Sequence, residues 1–198
     1  MYQLTAILIL LLLPVSTHAN IQRYEHLIIS TQIFTQTTIN DSAVSYQEYA
    51  KLATDKAWLS VMSERLKRFK PDQNERESFL RTVYYEATRA GLDPQLVLSV
   101  IQVESGFRKY AISHAGARGY MQIMPFWIET IGDETHNLFH LRVNLRYGCM
   151  ILRHYLNKEN GDYSRALGRY NGSLGQATYP QLVFNLLHNT WHYSQPAG

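Results

Sequence analysis

Cysteine is nearly absent from this chain, and so is any long run of charge of one sign. The single cysteine, Cys149, excludes a disulfide within the chain and a cysteine-rich metal site. The formal net charge is only +3 over 198 residues, and the basic residues are dispersed, which argues against nucleic acid as a partner. With 45% hydrophobic residues, the chain suits one globular domain and a short appendage.

The apolar run at 4–14 is short for a membrane span. Small residues follow it, with Thr17 and Ala19 at positions suited to signal peptidase. The segment before the run carries no Lys or Arg, so an uncleaved membrane anchor is the alternative. We therefore predict a signal peptide over residues 1–19 and export to the periplasm.

Apolar residues recur at three- and four-residue spacing after residue 45, which predicts a mainly α fold. Ser45 opens a capping box, and Asp93 followed by Pro94 marks a helix start. The run 96–103 is apolar on most sides and predicts a buried central helix. Gly148 lies within a later helix, where we expect a neighbouring backbone to approach closely. The predicted helices span 45–69, 74–91, 93–104, 123–131, 141–156, 165–170 and 181–193.

Glu104 is the candidate catalytic residue because it closes the apolar run and falls in the last turn of the predicted central helix. The negative end of the helix dipole and an apolar surrounding both favour the protonated carboxyl. A carboxyl kept neutral in this way is suited to general acid catalysis. An exposed glutamate at a helix end is the common alternative.

Small residues then form a loop in which backbone can come close to whatever covers Glu104. They are Ser113, Ala115, Gly116, Ala117 and Gly119. Ser113 is a candidate hydrogen-bond donor to the carboxylate or to a substrate carbonyl. Met121, Gln122 and Met124 offer polarizable apolar surface with one amide. A tight turn leading into a core helix would have the same composition.

A tyrosine and an asparagine, Tyr170 and Asn171, meet at the end of a predicted helix. The hydroxyl could position a carboxyl or steady developing charge, and the amide could bind a sugar amide. A helix C-cap beside a half-buried tyrosine is the plainer interpretation.

Histidines occur twice at i, i+4 spacing, which can bind zinc on a helix. The pairs are His136 with His140 and His188 with His192. No glutamate follows the first histidine of either pair, and no third ligand is evident. We predict no metal site.

Four separated blocks of sequence occur in order between residues 80 and 193. They are Glu104-Ser-x-Phe107, Ala111-x-Ser113-x-x-Gly116-Ala117-x-Gly119-Tyr-Met121-Gln122-x-Met124-Pro125, Asn144-Leu-x-x-Gly148 and Ala166-Leu-x-x-Tyr170-Asn171-Gly172. In these blocks the chain resembles the soluble lytic transglycosylase domain, also called family 23 glycosidases. It is similar to small exported members, including ones that open the wall for secretion systems or pili.

The resemblance implies a lysozyme-like helical domain, a fold often grouped as α+β. It implies cleavage of the β-1,4 bond between N-acetylmuramic acid and N-acetylglucosamine, with formation of 1,6-anhydromuramic ends and no cofactor. Glu104 matches the single acid and base of the family. Candidate substrate-binding residues are Ser113, Met121, Gln122, Met124, Tyr170 and Asn171. Tyr120 departs from the usual Leu, which we expect to alter a packing contact.

Two alternatives to the transglycosylase remain open. Glu129, Asp133 and Glu134 lie 25 to 30 residues downstream of Glu104. If one of them held a water across the site, the enzyme would be a lysozyme-type hydrolase. The other alternative is a non-catalytic or weakly catalytic wall-binding component of a secretion or pilus system.

We predict three regions along the chain: the signal peptide at 1–19, a partly helical N-terminal segment at 20–74 and a catalytic domain at 75–198. Residues 20–40 suit either a strand or a loosely packed arm. The predicted partners are peptidoglycan glycan strands and, through the N-terminal segment, a secretion or pilus assembly. We expect a monomer that binds no nucleic acid.

Overall fold

The computed structural model describes residues 56–194, which fold almost entirely as helices. The helices are α1 (Lys56–Leu66), α2 (Gln73–Arg89), α3 (Pro94–Ser105), α4 (Phe126–Ile131), α5 (Leu141–Lys158), α6 (Tyr163–Asn171) and α7 (Thr178–Leu186), and a π-helical turn (Leu187–Trp191) continues α7. The predicted mainly α fold is confirmed for this part of the chain. The signal peptide at 1–19, the segment 20–40 and the capping box at Ser45 lie outside the described residues.

No helix between residues 56 and 194 combines the length and the apolar character needed to cross a membrane.

Three helices begin with an aspartate cap. The cap residues are Asp72, Asp93 and Asp162. Each carboxylate accepts a hydrogen bond of 2.7 to 3.0 Å from a backbone N–H in the first turn, which satisfies one of the donors that a helix start leaves free. The predicted start at Asp93 and Pro94 is confirmed.

Three predicted helix starts were wrong, and the smallest of these differences is at α6, which begins at Tyr163 instead of 165. α4 begins at Phe126 instead of 123, because Ile123 pairs with Arg118 in an antiparallel β-bridge. α7 begins at Thr178 instead of 181, so that Pro180 lies in its first turn. Proline is tolerated there because the N–H groups of the first turn have no partner within the helix.

Helix α3 lies at the centre of the fold, as predicted. Its residues from Leu96 to Ile101 are all buried. α3 packs against α2, α7 and the π-helical turn, while α5 packs against α2 and α6. Burial around the whole circumference of the helix fixes its position, and with it the position of Glu104 in its last turn.

Aromatic rings close the core beyond the C-terminal end of α3. The ring of Phe107 lies 4.8 Å from Phe69, 5.9 Å from Phe79 and 5.5 Å from Trp191. Trp191 is fully buried, and its Nε1 donates to Gln102 Oε1 at 2.9 Å. The last turn of α3 is therefore held by residues from both ends of the described chain.

Tyr120 belongs to the same core. Its ring is buried 5.1 Å from the ring of Phe79, and its hydroxyl accepts a hydrogen bond of 3.3 Å from Lys70 Nζ. The side chain thus packs in the core, and the predicted change of a packing contact relative to Leu stays a prediction.

Candidate active site

Glu104 lies in the last turn of α3, one residue before the helix ends. Gly106 caps this end in the left-handed conformation, with φ of 56°, which glycine adopts without steric cost. The Glu104 side chain is partly buried, and the hydroxyl of Tyr179 from α7 donates a hydrogen bond of 2.5 Å to its Oε1. The carboxyl is thus held between two helices.

Burial raises the pKa of Glu104 to about 7, although the hydrogen bond from Tyr179 acts in the opposite direction. Removing water disfavours the charged carboxylate more than the hydroxyl stabilises it. Protonated and ionised forms are therefore both populated near neutral pH. A group with this pKa can donate a proton in one step and accept one in the next.

Two tyrosines accompany the carboxyl. Burial, and next the charge of ionised Glu104, hold the pKa of Tyr170 and of Tyr179 well above the ordinary value. Both hydroxyls therefore stay protonated and act as donors. Tyr170 donates to the carbonyl of Met121 at 2.8 Å, which ties α6 to the loop after α3.

The loop between α3 and α4 is closed by hydrogen bonds that its own polar residues make. The backbone N–H of Ser113 donates to Ala117 O at 3.0 Å, and Ser113 Oγ accepts from Ala117 N at 3.1 Å. Gln122 Nε2 donates to Ala111 O at 3.1 Å and to Gly119 O at 2.9 Å. The predicted hydrogen bond from Ser113 to the Glu104 carboxylate is not observed among the described residues.

Asn144 of α5 joins three segments around the site. It is fully buried, accepts from Met121 N at 2.8 Å, and donates to Arg118 O at 2.9 Å and to Leu138 O at 2.8 Å. A Cβ at Gly119 would lie 2.3 Å from the Asn144 amide nitrogen. Any residue other than glycine at position 119 would therefore collide with the Asn144 side chain. This packing explains why Gly119 and Asn144 occur together in the sequence.

Gly148 makes room for Met121. A Cβ at Gly148 would lie 2.3 Å from Met121 Sδ and 2.8 Å from Met121 Cβ. The close approach predicted at this glycine exists, but it is made by a side chain and not, as expected, by a neighbouring backbone. Met121 is fully buried between α5 and the loop.

The predicted site residues thus fall into two groups. Tyr170 is hydrogen-bonded to Met121 O and lies within the electrostatic influence of Glu104, whereas Ser113 and Gln122 stabilise the loop itself. Met124 is partly buried, and Asn171 is the exposed last residue of α6.

Sequence reasoning missed Tyr179. Its contact with Glu104 joins residues 75 positions apart, and local patterning carries no information about such a contact. The adjacent Pro180 was interpreted only as a helix boundary. An alignment of related sequences over this region could have identified Tyr179.

The three downstream acids are exposed, and one of them is bound within its own turn. The carboxylate of Asp133 accepts a hydrogen bond of 2.8 Å from Thr135 N, which lowers its pKa. Glu129 and Glu134 are also exposed. Burial and the Tyr179 hydrogen bond account for the shift in the Glu104 pKa, and no carboxylate between residues 56 and 194 is among its causes.

Within residues 56–194, no three His, Cys, Asp or Glu side chains lie close enough to hold a metal ion. His136 Nδ1 is 2.7 Å from the hydroxyl of Tyr147, and His188 Nδ1 is 2.7 Å from Phe184 O. His140 is the N-cap residue of α5.

Comparison with known proteins gives a family match over the region that contains these residues. The model of the Transglycosylase SLT domain matches residues 81–181, just over half of the chain. The match includes Tyr179 as well as the four sequence blocks.

Relatives share parts of this region. A transglycosylase of Enterobacteria phage PRD1 is 34% identical over 98 residues, which is 50% of this chain and 36% of the phage protein. Membrane-bound lytic murein transglycosylase C of Actinobacillus pleuropneumoniae serotype 5b and that of Haemophilus influenzae strain PittEE are each 45% identical over 47 residues, 24% of this chain and 13% of theirs. The chain therefore spans only a minor part of these relatives.

A solved structure, an inactive mutant of the lytic transglycosylase Slt from Pseudomonas aeruginosa, aligns with a TM-score of 0.42 and 28% identity, covering 56% of this chain and 18% of that one. The match over residues 81–181 shows that the chain belongs to the Transglycosylase SLT domain family, as its motifs predicted.

Proposed function

We propose that the protein is a peptidoglycan lytic transglycosylase in which Glu104 acts alternately as acid and base. The observation that carries this proposal is a single partly buried carboxyl with a pKa of about 7, bound by the Tyr179 hydroxyl. The names of the relatives, transglycosylase and lytic murein transglycosylase, support the same substrate and reaction.

The proposed reaction needs one carboxyl and no water. Protonated Glu104 donates to the glycosidic oxygen as the bond from the muramyl anomeric carbon breaks, while the muramyl N-acetyl carbonyl stabilises that carbon. Ionised Glu104 then takes the proton of the 6-hydroxyl, whose oxygen bonds to the anomeric carbon and closes the 1,6-anhydro ring. The proton given in the first step is recovered in the second, so the enzyme is regenerated.

Tyr179 has a defined part in this cycle. Its hydroxyl stays protonated and donates to Oε1, so it stabilises the ionised form that exists between the two steps. Tyr170 holds the loop through Met121 O, which keeps the loop at a fixed distance from the acid. We propose that Ser113, Gln122, Met124, Tyr170 and Asn171 line the sugar-binding surface, and that the fully buried Met121 supports this surface from beneath.

The exposed acids favour a transglycosylase over a hydrolase. A hydrolase of the lysozyme type needs a second carboxylate facing the first across the substrate. The Asp133 carboxylate accepts a hydrogen bond from Thr135 N within its own turn, and Glu129 and Glu134 are exposed. The raised pKa of Glu104 supports an enzyme over a binding-only protein, because groups with perturbed pKa values cluster at catalytic sites.

We propose further that the protein acts in the cell envelope, exported by the signal peptide at 1–19, and that it works as a monomer. The N-terminal segment at 20–74 would then carry any contact with a secretion or pilus assembly, and 75–198 the catalytic domain. The protein can be expressed in a bacterium and the mass of the exported form measured. A mass that lacks residues 1–19 indicates a removed signal peptide, and the full mass indicates a retained anchor.

The reaction is tested by incubating purified peptidoglycan with the wild type and with Glu104→Gln, followed by mass spectrometry of the fragments. We expect 1,6-anhydro-muropeptides from the wild type only. Fragments with reducing ends would indicate a hydrolase, and release by neither protein would favour the binding component.

A further inference from the structure

The loop after Glu104 carries exposed apolar side chains that the core does not use. Tyr110 is 70% exposed and Ile112 is 64% exposed. The ring of Tyr110 lies 5.6 Å from the ring of Phe139, which belongs to the segment between α4 and α5. Single exposed apolar residues are ordinary, but two rings from different segments that meet at the surface form a preformed apolar face. We call it the Tyr110–Phe139 face.

The same stretch of chain is cationic. Residues 105–128 include Arg108, Lys109 and Arg118 but no Asp or Glu. Arg108 Nε donates to Ser105 O at 2.8 Å and is thereby bound to the end of α3. Lys109 Nζ instead lies 5.0 Å from the centroid of the Tyr110 ring. A cation therefore lies directly at the aromatic face.

Both sides of this face are fixed to the segments that build the Glu104 site. Ala111, the residue after Tyr110, accepts a hydrogen bond of 3.1 Å from Gln122 Nε2. Leu138, the residue before Phe139, accepts one of 2.8 Å from Asn144 Nδ2. The face thus keeps a constant position relative to the loop that lies beside the acid.

We propose that the Tyr110–Phe139 face binds a sugar residue of the glycan strand outside the bond that is cut, and that Lys109 pairs with carboxylates of the acidic peptide on that strand. This inference rests on the proposed peptidoglycan function. The C–H face of a sugar ring stacks on an aromatic ring, and an anionic peptide is attracted to a stretch with three cations and no acid. The protein would then bind peptide-bearing strands more tightly than bare glycan.

The test measures binding in the Glu104→Gln background, in which the strand is not cut. Variants are sedimented with peptidoglycan and with the same glycan after an amidase has removed its peptides. We expect Tyr110→Ala to weaken binding to both materials about fivefold, a change that corresponds to about 1 kcal/mol. Lys109→Glu should weaken binding about fivefold to the peptide-bearing material alone, with an effect that diminishes as salt is added.

Two control variants match these changes in chemistry. Tyr163→Ala removes another exposed tyrosine, at the start of α6, and Lys67→Glu reverses another exposed charge, just beyond α1. Neither should alter binding. If Tyr110→Ala and Tyr163→Ala bind equally well, the proposed sugar site is wrong. If Lys109→Glu loses the same binding affinity for both materials, the proposed pairing with the peptide is wrong.

The binding assay separates this inference from the proposed reaction. If the wild type releases no anhydro ends while Tyr110→Ala still binds less, the binding face stands and the transglycosylase proposal fails. If anhydro ends form and Tyr110→Ala binds as tightly as Tyr163→Ala does, the transglycosylase proposal stands and the proposed binding face is wrong.

Discussion

Two opposing effects determine the pKa of the single residue Glu104. Burial disfavours its charge, and the Tyr179 hydroxyl stabilises it. The first influence is larger, so the pKa rises from 4.5 to about 7. Without the Tyr179 hydroxyl the pKa of Glu104 would be higher still, and the ionised form that acts as the base would be scarcely populated at neutral pH.

The first prediction concerns Tyr179→Phe. Loss of the hydrogen bond removes the influence that lowers the pKa of Glu104, so the alkaline limb of activity, centred near pH 7 in the wild type, should move to higher pH. The rate at the optimum should fall about 10- to 100-fold, because a hydrogen bond to an ionised group is lost. The pH profile of kcat/KM checks both effects. Tyr163→Phe serves as the control, and an alkaline limb that moves to lower pH would contradict this role.

The second prediction concerns stability. The folded state binds the Glu104 proton more tightly than the unfolded state, whose carboxyl has the ordinary pKa of 4.5. The stability that this proton contributes is complete below pH 4.5 and is lost as the pH rises through about 7. Glu104→Gln cannot lose it. The variant should therefore be more stable than the wild type by about 1–3 kcal/mol at alkaline pH.

Urea unfolding at several pH values measures this difference. It should shrink to nothing near about pH 4, where both proteins carry a neutral side chain. A stabilisation by Glu104→Gln that is the same at every pH would mean that the raised pKa is not its cause.

At the scale of elements, α5 holds the loop beside Glu104 through two residues one helical turn apart. Asn144 binds three backbone groups of the loop segments, and Gly148 leaves the space that Met121 fills. These three hydrogen bonds of Asn144 end on backbone groups and not on the carboxyl of Glu104. Both residues act by fixing the chain that surrounds Glu104.

The third prediction compares two helical glycines. Gly148→Ala places a methyl group 2.3 Å from Met121 Sδ, whereas Gly168→Ala places one 3.2 Å from Leu174 Cα, where small shifts relieve the contact. We expect Gly148→Ala to cost about 1–3 kcal/mol of stability and to lower activity through displacement of Met121. Gly168→Ala should cost less. Thermal unfolding of both variants checks this order, and equal stability of the two would disprove the packing argument.

The helices with local signals could be predicted from sequence, and the contacts between them could not. The dipeptide Asp93-Pro94 marks the start of α3 in the sequence, and Gly106 marks its end. Pro180 is ambiguous by contrast, since proline suits both the end of a loop and the first turn of a helix. Glu104 was predicted because its own neighbours are apolar, while Tyr179 lies 75 residues away and is brought in by the packing of α7 on α3.

In the molecule as a whole, the last described segment of the chain completes the core around α3. Trp191 is fully buried, contacts Phe107 and donates to Gln102. Arg65 of α1 donates to the carbonyl of His192 at 2.8 Å, so the first and last described helical segments meet. Closure of the chain in this way stabilises the helix that carries the acid.

The fourth prediction follows from this closure. Trp191→Ala should lower the free energy of unfolding by about 3–5 kcal/mol, because it removes a buried ring and leaves a cavity. Trp191→Phe keeps most of the ring and loses the hydrogen bond to Gln102, for about 1–2 kcal/mol. Chemical denaturation of both variants measures the difference. Similar losses in the two would show that the hydrogen bond, and not the packing, dominates.

The central claim is that Glu104 serves as both acid and base while a hydroxyl of the sugar takes the place of water. Mass spectrometry of peptidoglycan fragments released in water enriched in heavy oxygen tests it most directly. We expect anhydro ends without heavy oxygen from the wild type and no release from Glu104→Gln. Reducing ends that carry heavy oxygen, or undiminished release by Glu104→Gln, would contradict it.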